Sequence, residues 1–451
     1  MNLNNIKLPN AFAKNNVILN VNKFYNKYIS VLKKISIFLI IFILLLENNK
    51  LDIDLIKVGY YCNSIKYGGV ERVMALLINY LSKEKMFIHF LLTKKGKLEG
   101  EYSIPGTIQR IYLSEKKISL LQAIKINNID ILIYNFYEKS EIKELNKLKT
   151  TKIIYYDHSS YFYWIYLNKY KFQDTVYYEY KNCNYVISLI PLENDYLFKK
   201  WGIKSILMDN PTTFEYDSVI PSDLTEKNII MIGRVNDPIK RFDLGLRIME
   251  RIIEEVPDCK MNIVSKSSKK YEKLIHKLKL EKYVKFVGFK NDIKIYLKNS
   301  SLHLFPSLSE SYPMVLSETK IFGIPSIICG LDYLALAKGG TIIIYDDNPV
   351  TIAKEAIKLM KDDSLRKKLG NEARKSMKKR KNENIAKKWV KLFLSIYKGN
   401  ELIIKKISDD HDKITEKEAN TILNNQLILL RKRKPIFKNL TLEQLKNFSF
   451  S

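Results

Sequence analysis

The sequence predicts an α/β protein with two doubly wound domains that face a central cleft, plus an extension at each end. The chain has 451 residues, which is too long for one ordinary core. Its apolar content of 46% is ample for globular packing. Short apolar runs alternate with helix-like stretches on both sides of the segment 212–227, which contains Pro221 and mixed charges. This alternation is typical of parallel sheets covered by helices.

The N-terminal extension, residues 1–54, contains an unbroken apolar run from Ile35 to Leu46, preceded by Lys33 and Lys34. Twelve helical residues span only ~18 Å, which is short of the roughly 30 Å hydrocarbon core of a membrane. No small-residue cleavage site follows the run, so it does not resemble a complete signal peptide. An in-plane membrane anchor, a packing helix and an extension without function all remain open, and we favour membrane association.

The first domain, residues 55–211, begins with a predicted strand from Leu55 to Tyr61 and a helix that ends near Leu81. Gly68 and Gly69 lie between them. A glycine pair at this position lets the backbone approach a ligand and exposes the N–H groups of the helix. Alone, such a pair is a common turn.

Four further strands are predicted in the first domain: Phe87–Leu92, Ile129–Tyr134, Lys152–Tyr156 and Tyr185–Ser188. His158 follows one of them closely and should therefore lie at the mouth of the sheet. On geometry alone, a histidine held by a loop hydrogen bond is as good an interpretation as a functional one.

The second domain, residues 228–382, begins with a predicted strand from Asn228 to Ile232. Arg234 and Lys240 lie in the turn that follows, before a long helix. An arginine fork and a lysine point charge at a strand-to-helix turn form a suitable phosphate clamp. In so basic a protein, two exposed cations are the alternative.

Two glutamates follow the predicted strand Leu302–Phe305. Glu310 lies in a polar loop, and Glu318 lies eight residues later in a predicted helix from Met314 to Phe322. Ligands of parallel α/β sheets bind at the carboxyl ends of the strands, and helix N-termini there favour phosphate. The carboxylates are suited to accept hydrogen bonds from sugar hydroxyls. For a bare pair of glutamates, a capping acid and a solvated acid are the simpler interpretation.

The pattern around these acids is Pro-Ser-x-x-Glu-x-x-Pro-x-Val-Leu-x-Glu-x-x-x-x-Gly-x-Pro, from 306 to 325. It resembles the signature of the retaining glycosyltransferases of family 4, which have the GT-B fold of two Rossmann-like domains. The Gly-Gly-x-Glu-Arg-Val segment at 68–73 resembles their opening loop. The resemblance covers 55–398 and is strongest from Ile229 onward. Ser311 and Thr319 depart from the family's usual Gly and Ala.

The resemblance implies a site. Glu310 and His158 would be catalytic, with Glu310 holding a hydroxyl of the donor sugar. The implied donor-binding residues are Gly69, Arg234, Lys240, Phe289, Ser311, Tyr312, Pro313, Met314, Val315 and Glu318. Glu318 would bind the ribose, and the segment 284–289 would hold the base.

The implied activity is transfer of a hexose or N-acetylhexosamine from a nucleotide-sugar, expected to be a UDP-sugar, with retained anomeric configuration. The acceptor would be a glycan, a lipid-linked glycan or lipopolysaccharide. The nucleotide-sugar is a substrate, and we expect no cofactor and no metal.

Two alternatives differ in class. A nucleotide-sugar epimerase of GT-B architecture would convert the donor without an acceptor. A noncatalytic basic protein that binds membranes would leave the segment 306–325 unexplained. A metal-dependent GT-A enzyme is not supported, because the Asp-x-Asp at Asp52 and Asp54 precedes the first strand.

The formal net charge of +28 predicts an anionic partner. Residues 361–400 alone carry fourteen basic and four acidic side chains. No nucleic-acid-binding motif is present, so we expect an anionic membrane surface and a cytoplasmic location on the inner membrane face. Four scattered cysteines indicate buried thiols in a reducing compartment. We expect the helix at 383–400 to cross back to the first domain, and the charged tail 401–451 to be helical.

Overall fold

A computed structural model describes residues 55–66, 68–136, 138–167, 173–290 and 292–447. The predicted N-terminal extension, with its apolar run and its Asp-x-Asp, lies outside these residues. Among the helices that are described, none is both long enough and apolar enough to cross a membrane.

The first sheet has seven parallel strands in the order β3-β2-β1-β4-β5-β6-β7. They are β1 Ile56–Cys62, β2 Phe87–Thr93, β3 Gln109–Tyr112, β4 Ile131–Tyr134, β5 Lys152–Tyr156, β6 Tyr185–Ser188 and β7 Ser205–Leu207. The sequence predicted five of them. It missed β3 and β7, which are edge strands of only four and three residues and lack a long apolar run.

The second sheet has six parallel strands in the order β10-β9-β8-β11-β12-β13. They are β8 Asn228–Ile232, β9 Lys260–Val264, β10 Val284–Phe286, β11 Leu302–Phe305, β12 Ser326–Cys329 and β13 Thr341–Ile344. In both sheets the strand order reverses beside the first strand, β1 or β8. Such a switch point opens a crevice at the carboxyl ends of the strands, where ligands bind.

Helices cover both sheets and form the C-terminal part of the chain. In chain order they are α1 Gly69–Leu81, α2 Leu113–Lys116, α3 Leu120–Asn127, α4 Lys139–Leu145, α5 Tyr161–Tyr166, α6 Gln173–Asn182, α7 Phe198–Lys200, α8 Phe242–Glu255, α9 Lys269–Lys277, α10 Lys294–Lys298, α11 Met314–Ile321, α12 Pro349–Lys361, α13 Asp363–Met377, α14 Asn382–Tyr397, α15 Glu401–Asp409, α16 Glu416–Arg433 and α17 Leu442–Asn447.

The α/β prediction of two Rossmann-like, doubly wound sheets is confirmed. Gly323 ends α11 as predicted, with φ +69°, in the left-handed region that favours glycine. The predicted linker 212–227 runs between β7 and β8. The predicted domain limits themselves stay predictions.

The helix α14 packs against α1 of the first domain. Trp389 of α14 is fully buried and its ring lies 5.2 Å from that of Tyr156 in β5. The backbone N–H of Thr212, at the start of the linker, donates to Asn382 Oδ1 at 2.7 Å. The end of the second domain is therefore packed on the first.

Candidate active site

The loop between β11 and α11, residues 306–313, carries Glu310 to the carboxyl edge of the second sheet. Lys240 Nζ lies 2.6 Å from Glu310 Oε1, and their side chains are 18% and 13% exposed. The sequence placed these residues 70 positions apart, and the fold makes them an ion pair. A carboxylate and an ammonium group therefore lie together at the crevice, where each could exchange its partner for a ligand group.

The Lys240 turn is held by local hydrogen bonds. Pro238–Lys240 forms a 3₁₀ turn, and Asp237 Oδ1 accepts from the backbone N–H of Ile239 at 3.1 Å. Arg234 Nη2 lies 3.1 Å from Asp237 Oδ2, and the Arg234 side chain is 77% exposed. The two predicted clamp residues thus differ, because Lys240 lies inside the crevice and Arg234 at its mouth.

Glu318 lies in α11 and is completely buried. Its Oε1 accepts from Thr213 Oγ1 at 2.6 Å and lies 3.3 Å from Arg72 Nη1 of the first domain. Burial raises the pKa of Glu318, while Arg72 and Thr213 oppose that rise. Its Oε2 is also buried and has no hydrogen-bond partner among the described residues. One oxygen thus joins the two domains, and the other could still accept a hydrogen bond.

His158 follows β5 in a loop that contacts the Glu310 loop directly. Its carbonyl accepts a hydrogen bond from Ser311 Oγ at 2.6 Å, and its ring lies 4.1 Å from that of Tyr156. Burial lowers the pKa of His158 to about 3, so the imidazole is neutral at pH 7. The Nε2 atom is buried without a hydrogen-bond partner in the described part of the chain. The ring can exchange hydrogen bonds but supplies no positive charge.

A second set of contacts holds the Glu310 loop against the first domain. Ser160 Oγ lies 2.6 Å from Ser309 Oγ, which lies 3.3 Å from the Tyr333 hydroxyl. That hydroxyl accepts from the backbone N–H of Glu310 at 3.2 Å. The Tyr333 ring packs on Phe162 of α5 with centroids 4.8 Å apart. The position of Glu310 therefore depends on side chains from both domains.

The glycine loop before α1 combines open space with a nearby acid. Gly69 begins the helix and has open space beside it, as a ligand approach requires. However, Glu71 lies in the first turn, where its carboxylate meets the helix N-terminus. Burial raises the pKa of Glu71, opposed by its own backbone N–H and by the charge of Arg234. An acid at this position competes with an anion for the N-terminus of α1, and the role of Gly69 in donor binding stays a prediction.

The other predicted donor-binding residues surround the start of α11, apart from one. Tyr312, Pro313 and Met314 are buried, whereas Ser311 and Val315 are half-buried. Phe289 is 58% exposed and lies in the loop after β10. Strand β10 ends at Phe286, so the rest of the segment 284–289 belongs to this loop, and its role at the base stays a prediction.

Sequence reasoning assigned no role to several residues of the site. Arg72 belongs to the Gly-Gly-x-Glu-Arg-Val segment, so the sequence contained a signal for its role. Thr213 and Tyr333 were signalled by no motif, because their contacts exist only once both sheets are assembled. No group of three His, Cys, Asp or Glu suited to a metal ion occurs within the described ranges. Metal independence itself stays a prediction.

The second domain matches a known family by sequence. Residues 213–376, which span the linker, the second sheet and both glutamates, match the sequence model of the family described as Glycosyl transferases group 1.

Two relatives extend the similarity into the first domain. One is an uncharacterized glycosyltransferase of Haemophilus influenzae, 23% identical over 290 residues, covering 60% of this chain and 80% of the relative. The other is the Campylobacter jejuni GalNAc-alpha-(1->4)-GalNAc-alpha-(1->3)-diNAcBac-PP-undecaprenol alpha-1,4-N-acetyl-D-galactosaminyltransferase. It is 23% identical over 363 residues, covering 76% of this chain and 99% of the relative.

Solved structures establish the fold. Sucrose-phosphate synthase from Thermosynechococcus elongatus matches with a TM-score of 0.61 at 16% identity, covering 76% of this chain and all of that one. Anabaena HepE in complex with UDP and glucose matches with a TM-score of 0.60 at 14% identity, covering 75% of this chain and all of that one. The fold is GT-B.

Proposed function

We propose that this protein is a retaining glycosyltransferase that moves a hexose or N-acetylhexosamine from a UDP-sugar to a glycan or lipid-linked acceptor. One observation carries the proposal: the 2.6 Å pair of Lys240 and Glu310. It lies at the switch-point crevice of the second sheet, within the segment that matches the glycosyl transferases group 1 family. A cation for phosphate and a carboxylate for sugar are thereby placed side by side.

The proposed chemistry at the sugar depends on Glu310. Positive charge grows at the anomeric carbon as the bond to the diphosphate breaks. A carboxylate that accepts a hydrogen bond from a donor hydroxyl favours that charge. This carboxylate pairs with Lys240, and the donor would insert between the two groups.

Negative charge grows on the departing diphosphate, and Lys240 is placed to receive it. Arg234, at the mouth of the crevice, can fold onto the same phosphates because its side chain is largely exposed. The N-terminus of α11 receives no side-chain cap from the described residues and directs its N–H groups into the same loop. These positive groups would supply the charge that a metal ion brings elsewhere.

The first domain supplies the remaining contacts. A neutral His158 suits hydrogen bonding to the transferred sugar, because its Nε2 is buried without a partner among the described residues and its carbonyl contacts Ser311 of the Glu310 loop. The free Oε2 of Glu318 suits a ribose hydroxyl, which would satisfy a buried acceptor.

The donor and acceptor are proposed by similarity. HepE, which has the same fold, was crystallised with UDP and glucose. The name of the C. jejuni relative describes transfer of N-acetylgalactosamine to an undecaprenol-linked glycan. The first favours a UDP-sugar as donor, and the second favours a lipid-linked glycan as acceptor. We assign the reaction to cell-surface polysaccharide synthesis, with lipopolysaccharide as the other acceptor.

A basic face supports a peripheral location on an anionic membrane. A cleft of about 590 Å³ lies between α14 and α15. Its lining is Asn384, Lys387, Lys388, Lys391, Lys406, Ile407, Asp409 and Asp410. Tyr397 and Leu402, in the same helix pair, are exposed. A helix pair that carries both exposed lysines and exposed apolar side chains is suited to anionic headgroups.

The proposal is tested by incubating the protein with a panel of nucleotide-sugars and lipid-linked glycans while UDP release is followed. We expect acceptor-dependent release and a product whose anomeric configuration, by NMR, matches that of the donor. Glu310→Gln should lower turnover and leave UDP affinity nearly unchanged. An inverted product would overturn the retaining assignment, and conversion of the donor sugar without any acceptor would favour the epimerase.

A further inference from the structure

The C-terminal tail, residues 401–447, lies beyond the family match and contacts both domains. His411 Nε2 lies 2.8 Å from Asp195 Oδ1 of the first domain. In the second domain, Gln426 Nε2 donates to Asp332 Oδ1 at 2.9 Å. The tail therefore lies across the cleft.

Arg433, the last residue of α16, contacts both domains through one guanidinium group. Its Nε donates to Asp347 Oδ2 and its Nη2 donates to Asp347 Oδ1, both at 2.8 Å. Asp347 follows β13. Its Nη1 donates at 2.9 Å to the Tyr166 hydroxyl at the end of α5. The Arg433 side chain is only 5% exposed. One buried guanidinium group thus joins the second domain to the first.

Asp347 connects this contact to the Lys240 turn. Its Oδ1 lies 2.8 Å from Arg241 Nη1. Arg241 directly follows Lys240 and has φ +51°, an uncommon conformation for a non-glycine residue that its surroundings must hold. The carboxylate of Asp347 therefore lies between two guanidinium groups, one from the donor-site turn and one from the tail.

Helix α5 connects the same contact to the Glu310 loop. Tyr161, at its start, donates its hydroxyl proton to the carbonyl of Leu445 in the tail at 2.5 Å. Phe162 packs on Tyr333, whose hydroxyl accepts the N–H of Glu310. The hydroxyl of Tyr166, at the end of α5, accepts the hydrogen bond from Arg433 Nη1. Displacing α5 would therefore displace the wall on which the Glu310 loop rests.

We infer that Arg433 is a positioning residue of the active site: it ties α5 of the first domain to the Lys240–Arg241 turn and holds the cleft closed around the nucleotide-sugar. This inference rests on the proposed function. Arg433 need not touch the substrate, because its two partners transmit its position.

The inference makes a split prediction for Arg433→Ala. Asp347 keeps Arg241 as a partner, so the donor-site turn should stay intact and the Kd for UDP should change by less than ~3-fold. Loss of the tie to α5 should lower kcat by ~10- to 100-fold, the usual range for a buried charged hydrogen bond. Tyr166→Phe, which removes only the hydroxyl, should reproduce most of the kcat loss. The double variant should be no worse than Arg433→Ala.

Lys432→Ala is the matched control, because it removes an exposed cation from the same turn of α16. It should leave kcat and UDP affinity unchanged. Additive losses in the double variant, or an unchanged kcat in Tyr166→Phe with intact fold, would overturn the inference. If Arg433→Ala fails to fold, Tyr166→Phe alone still tests the inference.

Hydrogen exchange of the backbone amides in α5 provides a readout that does not need turnover. With UDP bound, α5 should exchange faster in Arg433→Ala than in the parent or in Lys432→Ala. Equal exchange would contradict the positioning role. If the parent protein released no UDP from any donor, the proposed function would fail, while this measurement would still decide the contact.

Discussion

At the scale of single residues, the site consists of charges that pair with one another. Lys240 pairs with Glu310, and Arg72 with Glu318. An unpaired buried charge is costly, so each of these ion pairs stabilises the position of its carboxylate. Substitutions should therefore separate the roles of the four groups.

The first prediction concerns the phosphate clamp. Lys240→Ala should lower turnover by roughly a hundredfold, because removing one preorganised charge from a departing group costs ~3 kcal/mol in the barrier. We expect a loss of similar size for Arg234→Ala, once that exposed side chain has folded onto the phosphates. UDP release at saturating donor measures both, and Lys368→Ala, an exposed lysine of α13, is the control.

Two outcomes would contradict the clamp. Full activity in the Arg234→Ala, Lys240→Ala double variant would remove it directly. Loss of turnover with a chelator, restored by magnesium, would assign its role to a metal ion.

The second prediction concerns Glu318. Glu318→Gln should weaken UDP binding more than it lowers kcat, because a charged acceptor for the ribose hydroxyls is lost. Isothermal titration with UDP measures the affinity. Arg72→Ala is the companion variant, and it should destabilise the fold by about 3 kcal/mol because it leaves Glu318 buried and unpaired. Unchanged UDP affinity in Glu318→Gln would exclude the ribose role.

At the scale of elements, two helices bring glutamates against tyrosines of the first sheet. Glu141 of α4 accepts from the hydroxyls of Tyr61 and Tyr134 at 3.0 and 2.9 Å. Glu179 of α6 is completely buried nearby. Burial raises the pKa of Glu179 to about 8. A hydrogen bond from Tyr155 opposes this rise, and the charges of Glu141 and Asp157 add to it. The contact of α6 with the sheet should therefore depend on pH.

The third prediction gives the sign of that dependence. The pKa of Glu179 is raised from its unfolded value of roughly 4.3, so the folded state holds the extra proton between about pH 4.5 and 8. Stability should fall as pH rises through this window, with this group contributing a slope of up to ~1.4 kcal/mol per pH unit. Glu179→Gln, which mimics the protonated acid, should remove that slope. Urea unfolding at pH 5, 6, 7 and 8 measures it, and equal slopes in parent and variant would refute the assignment.

At the scale of the whole molecule, the net charge of +28 is partly gathered on a defined face. The α14–α15 cleft carries the exposed lysines Lys387, Lys391 and Lys406, together with Asp409 and Asp410. The apolar run at 35–46 lies outside the described residues, so the lysine face is the part of the membrane hypothesis that the structure makes testable.

The fourth prediction is that the triple variant Lys387→Glu, Lys391→Glu, Lys406→Glu binds anionic vesicles at least ~100-fold more weakly, since each lysine near an anionic leaflet contributes about 1 kcal/mol. Flotation with phosphatidylglycerol vesicles at low salt measures binding. The matched control, Lys354→Glu, Lys367→Glu, Lys368→Glu, makes the same charge change on exposed lysines of α12 and α13. Equal loss in both variants would show that only net charge matters, and a parent protein that stays unbound would remove the hypothesis.

Much of the fold follows from local pattern. Buried parallel strands such as β1 and β11 are apolar on both faces, and Gly323 can hold a conformation that other residues avoid. The two edge strands β3 and β7 were missed because an edge strand buries less and needs no long apolar run.

The sequence alone determined the α/β class, the two parallel sheets and the loop that carries Glu310, because hydrophobic period, glycine stops and strand-end motifs are local properties. Only the tertiary structure decided that Lys240 meets Glu310, that Arg72 covers Glu318 and that Arg433 reaches both domains. These partners lie 70, 246 and 86 or more positions apart. No local pattern specifies such pairs, because their distances depend on how two separately folded sheets and a tail pack together.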